Sequence, residues 1–161
     1  MESLLTDVAL WLDVAGVGPW ARGSALVYPI VNTLHLLGLV MLVGGIGIVD
    51  LRVAGLWRGL PIAMLSRALT PVAVVGLMLM VASGIVLFAA DGAALARSDI
   101  FARKLVIIAV ALVNAAAFRL IWRARMRGWS DTVPGAARAM AASSLLLWLG
   151  VAASGRWIAY G

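Results

Sequence analysis

The chain contains no cysteine, a single histidine and few charged side chains. Without cysteine there are no disulfides, no thiolate metal centres and no cysteine-based catalysis. Only 12% of the 161 residues are charged and 64% are hydrophobic, whereas an ordinary soluble domain is about a quarter charged. A soluble chain of this composition lacks the polar surface to cover itself, so one membrane domain over residues 1–161 is expected. No internal repeat is visible, and four unbroken spans argue against an inverted-repeat transporter. The first 20 residues lack a basic segment and a small-residue cleavage site, and they carry Glu2, Asp7 and Asp13. That is not the pattern of a signal peptide.

What is present is long apolar runs separated by charged loops. Spans are expected at about 24–49, 70–90, 100–122 and 136–158, preceded by a short interfacial helix at about 3–16 that ends at Gly16, Gly18 and Pro19. Short connections make successive spans antiparallel, which predicts an all-α, up-and-down bundle of four transmembrane helices. Helices in lipid associate through close backbone approach and interhelical hydrogen bonds. Gly38 with Gly45, Gly76 with Ser83, Ala111 with Ala115, and Ser143, Gly150 and Ser154 supply the small residues. Asp50 and Arg52, at the end of the first span, read as a surface pair of little energetic weight.

The net charge of +6 would raise nucleic acid as a partner in a soluble protein. Here the cations sit beside apolar spans, so membrane lipids are the expected partner and nucleic acid is not. Eight arginines (Arg52, Arg58, Arg67, Arg119, Arg123, Arg125, Arg127 and Arg138) fall on one side with Asp50 and Asp131. The other side carries five cations and five acids. The positive-inside rule makes the arginine-rich side cytoplasmic and both termini external. Trp57, Trp122 and Trp129 then form the inner aromatic belt, with Trp11, Trp20, Trp157 and Tyr160 in the outer one; Trp148 alone lies deep.

The run 26–49, LVYPIVNTLHLLGLVMLVGGIGIV, organises the rest. His35 lies near its centre, where an ionisable group marks a functional site by default. Tyr28, Asn32, Gly38, Leu42 and Gly45 share its helical face. One reading makes His35 a metal ligand, the axial ligand of a b-type haem. Gly38 and Gly45 then leave room for the porphyrin, and Phe88, Phe101 or Trp148 pack on it. Lys104, Arg156, Arg103 or Arg22 meet its propionates. With no second histidine, Met78 or Met80, an open position or a second copy of the chain completes the coordination. The plainer reading has His35 hydrogen-bonding Asn114, Ser83 or Tyr28 and fixing the packing. Asn114, the other polar residue at mid-span, bridges to His35 or Ser83, or simply joins helices. Lys104 and Arg156 share the outer side, where an anion fits between them. The 119–127 arginine run sets topology and attracts anionic lipid.

The segments YPIVNTLHLLGLVMLVGGIGIVDLRVAGL, RKLVIIAVALVNAAAF and LLLWLGVAASGRWIAY resemble a family of small bacterial inner-membrane proteins of unknown function, over most of the chain from Tyr28 to Tyr160. The resemblance implies location in the bacterial inner membrane. More loosely, four spans with a histidine in the first are similar to the copper-resistance D group and to the haem-containing membrane protoporphyrinogen oxidases. The family resemblance also implies a Phe-His pair late in the third span. Here that position is Phe118-Arg119, about 12 Å deeper than His35 at 1.5 Å per residue, so no second ligand stands there. Three functional readings follow: a haem-binding redox or haem-handling protein, a small transporter or proton pathway using His35 and Asn114, and a non-enzymatic accessory subunit. Neither an enzymatic nor a non-enzymatic role is selected. The pathway reading is weakened because no Asp or Glu falls inside the expected spans. A homo-oligomer or a larger membrane complex suits the third.

Overall fold

The computed structural model describes residues 1–129 and 132–158, apart from the side chain of Arg127. Asp131 and Tyr160, counted above in the charge balance and the outer aromatic belt, lie outside the described residues. The described chain is helical throughout: α1 (Glu2–Val14), α2 (Val17–Gly23), α3 (Val27–Ala54), α4 (Ile62–Ala96), α5 (Asp99–Trp122), a 3₁₀ turn at Arg125–Gly128, and α6 (Gly135–Trp157). Helices α3 to α6 are each long and apolar enough to cross a membrane. The protein is a multi-pass membrane protein of four such helices.

The expected N-terminal helix is α1, and a second short helix, α2, follows it. Gly16 adopts φ +82° between them, a left-handed conformation that glycine takes without strain. Leu12 packs with Phe88 and Ala89, and Ala9 lies so close to Gly92 that a Cβ there would stand 2.7 Å away. Helix α4 bends at Asp91 (φ −120°, ψ 22°), and Arg22 donates to the carbonyls of Ala89 and Ala90 at 3.1 and 3.2 Å beside the bend. The same guanidinium pairs with Asp13 at 2.7 Å. Tyr28 donates to Asp91 at 3.3 Å.

Helix α3 runs five residues beyond the expected end of the first span. It stops at Gly55, whose φ of +122° lets the chain leave the helix. Arg138 of α6 donates two hydrogen bonds, at 3.1 and 3.0 Å, to the freed carbonyl of Ala54. Arg52 does not pair with Asp50. Its guanidinium turns into the loop after α3 and donates to the carbonyls of Leu60 and Arg58, both at 2.6 Å.

Helices α3 and α4 pack along their length, α3 also packs on α6, and α6 packs on α5. Helices α4 and α5, joined by Arg97 and Ser98 alone, make few close backbone contacts and meet at the stacked rings of Phe88 and Phe101. The spatial order is therefore α4–α3–α6–α5. Short connection length predicted antiparallel sequence neighbours, but it does not say how closely they pack. The α3–α4 contact is close because glycines face it. A Cβ on Gly38 would lie 2.8 Å from the Gly76 carbonyl, and one on Gly45 3.0 Å from that of Leu69. Leu42, Ala73, Ala111, Trp148 and Val151 form the central apolar layer.

Candidate functional site

Two polar groupings lie along α3. The first surrounds His35, which is half-buried between α3 and α4. Its Nδ1 is 2.9 Å from Ser83 Oγ. Ser83 has one hydroxyl proton, which it donates to the Leu79 carbonyl at 2.6 Å. His35 Nδ1 is therefore the donor to Ser83. In the neutral ring Nε2 then carries a lone pair. Lys104 of α5 lies within electrostatic reach of His35, its Nζ resting against Gly155 of α6. Arg156 follows at the exposed end of α6. The structure thus places His35, Ser83, Lys104 and Arg156 toward the same end of the bundle.

Asn114 is elsewhere. Its Nδ2 donates to the Met140 carbonyl at 3.0 Å, tying α5 to α6, so it bridges to neither His35 nor Ser83. Gly38 is covered by α4: beside the Gly76 carbonyl, Met80 Cγ would be 2.9 Å from an added Cβ.

That closure bears on haem. Nε2 of His35 has the lone pair that an axial ligand needs, but the expected frame does not fit a porphyrin. The Gly38–Gly45 face is filled by α4 backbone. Phe88 and Phe101 stack on each other with centroids 5.5 Å apart. Trp148 belongs to the central layer with Leu42, and Met78 is exposed on the outside of the bundle. Among the described residues no group of three or more His, Asp or Glu side chains could hold a metal ion.

The second grouping was not foreseen. Asp50 is only 5% exposed. Ser144 of α6 lies beside its carboxyl, and its Oδ2 is buried with no hydrogen-bond partner among the described residues. Asp50 lines a cavity of about 290 Å³ between the four long helices, on the arginine-rich side of the central layer. Thr70, Asn114 and Ser144 add polar groups to the wall, and Leu77, Phe118 and Trp148 are among its apolar side chains. Arg119, the position where the family resemblance led us to expect histidine, also lines it and is exposed. Sequence reading ended the span at Asp50 because hydropathy falls at the first charge. The available signal was the continuation of helix-compatible sequence as far as the glycine at position 55.

With this geometry in place, comparison with known proteins adds one finding. Residues 10–161 match DUF6644, a family of unknown function. The chain belongs to this DUF6644 family. No curated protein and no solved structure matches it, so neither the copper-resistance D group nor the haem-containing oxidases gains support beyond the loose likeness of architecture.

Proposed function

We propose that this DUF6644 protein is a small proton-handling transporter of the bacterial inner membrane. The observation that carries the reading is the placement of His35 and Asp50 along α3. His35 and Asp50 are 15 residues apart in sequence, about 22 Å along a helix. The apolar layer of Leu42, Ala73, Ala111, Trp148 and Val151 lies between their levels. Burying an ionisable group inside a membrane is costly, so such a group marks a functional site by default, and an apolar layer between two protonatable stations is the arrangement of an occluded pathway. Asp50 supplies the membrane-embedded acid that the sequence reading found missing. Asn114 contributes by holding α5 on α6 and by lining the Asp50 cavity, not by relaying to His35. The excess of arginines at the Asp50 end supports a cytoplasmic face there and external termini, which in this membrane are periplasmic.

The test is proton entry into liposomes that contain a pH-sensitive dye, driven by a potassium diffusion potential. Wild-type protein should acidify the lumen faster than protein-free liposomes, and His35→Ala and Asp50→Asn should each abolish the difference. Wild-type rates equal to those of empty liposomes would overturn the proposal. A b-type haem on His35 is the second reading, favoured by the unprotonated Nε2 and opposed by the filled glycine face. A Soret band in gently purified protein, lost in His35→Ala, would select it instead.

A further inference from the structure

A carboxylate oxygen sealed from water without a hydrogen-bond partner is costly, and the cost falls when a cation or a proton meets it. Asp50 Oδ2 is such an atom, and its residue forms part of a cavity wall. The remaining wall is mostly aliphatic and aromatic. We propose that the cavity is a binding site for a small lipophilic organic ammonium ion, its cationic head on Asp50 and its apolar body against Trp148 and Phe118.

Size, charge and access each argue for this class. An apolar cavity of ~150 Å³ takes up benzene, so about 290 Å³ accommodates one ring with a short aliphatic chain. An inorganic cation would need several oxygen ligands to replace its hydration shell, and this largely hydrocarbon wall suits it poorly. An ammonium ion carries its own apolar body and gains from aromatic faces as well as from the carboxylate. Among the described wall residues Arg119 is the one cation, but it is exposed and screened by water, whereas Asp50 is 5% exposed and keeps its field. Access from the lipid would lie between α4 and α5 on the Asp50 side of the Phe88–Phe101 stack, where the two helices make few close backbone contacts. The inference rests on the transporter reading only in treating the ligand as cargo; binding stands by itself.

Binding is measured by equilibrium dialysis of full-length protein in nanodiscs of zwitterionic phospholipid, with radiolabelled 2-phenylethylamine and its neutral counterpart 3-phenylpropan-1-ol. Saturable amine binding is expected, weakened at least about tenfold in Asp50→Asn and retained in Arg119→Gln. Ala115→Phe fills the cavity from α5 without altering the carboxylate and should also remove binding. Intact thermal unfolding of each variant guards against misfolding. The proposal is overturned if no saturable amine binding is seen, if Asp50→Asn binds the amine as wild type does, or if the alcohol binds as tightly as the amine. Amine binding without proton flux would sink the transporter reading alone, and flux without amine binding would sink this inference alone.

Discussion

Gly38 and Gly76 stand back to back across the α3–α4 contact: a Cβ on Gly38 would come 2.8 Å from the Gly76 carbonyl, and one on Gly76 2.7 Å from that of Gly38. The atoms in the way are backbone, which cannot rotate aside. In lipid, where apolar transfer gives helices no reason to associate, this approach is much of what joins α3 to α4. Gly76→Val should therefore destabilise the bundle by about 1–3 kcal/mol, the usual cost of overpacking. Gly44, beside which an added Cβ meets nothing within 4 Å, is the control. Gly44→Ala should be neutral or stabilising by up to ~1 kcal/mol through helix propensity. Unfolding midpoints in mixed micelles would compare the two, and equal effects would show that the contact is not tight.

The same glycines show how far the sequence could be read. Apolar length located four helices, because a helix in lipid must satisfy its own backbone and hydropathy records that requirement directly. Gly38 and Gly45 were legible as a cleared face, but a missing side chain makes room equally well for a ring or for another backbone. Only the packing of α4 decides between them. Asp50 was misread for a related reason: hydropathy ends a span at the first charge, while Gly55 and its positive φ end the helix. The sparse backbone contact between α4 and α5 was not legible at all, since loop length limits distance without fixing contact.

The tautomer of His35 follows from the single proton on Ser83 and is open to direct measurement. With one histidine in the chain, selective nitrogen-15 labelling gives the spectrum of one ring. In the neutral form, Nδ1 should appear as the protonated, pyrrole-type nitrogen and Nε2 as the pyridine-type one. Ser83→Ala removes the acceptor and should shift population toward the other tautomer, with a stability loss of about 0.6 kcal/mol and no more than ~1.7 kcal/mol. A protonated Nε2 in the wild-type neutral ring would refute the assignment.

Arg22 and Asp13 should prove unequal partners. Their side chains are 46% and 45% exposed, so the ion pair alone is worth about 0.2–1 kcal/mol. Arg22 also holds the Ala89 and Ala90 carbonyls beside the bend in α4, which Asp13 does not. Arg22→Gln should therefore loosen α1 and α2 more than Asp13→Asn does. Hydrogen exchange over residues 2–23 is the readout. The same rise in both variants would mean that the carbonyl contacts hold nothing.

Asn114 tests whether α5 depends on α6. Helix α5 has little contact with α4, and Ala111 is its only buried residue among those described. The bond from Asn114 Nδ2 to the Met140 carbonyl ties it to α6, joined near the helix end by Trp122 Nε1, which donates to Met140 Sδ at 3.5 Å. Asn114→Leu keeps the volume and removes the donor. Interhelical hydrogen bonds in membranes average about 0.6 kcal/mol, too little to unfold the protein but enough to raise local opening of one weakly held helix about threefold. Hydrogen exchange should consequently accelerate in α5 while α3 and α4 stay protected. Uniform acceleration across all four helices would show instead that the bundle opens as a single unit and that α5 is not separately anchored.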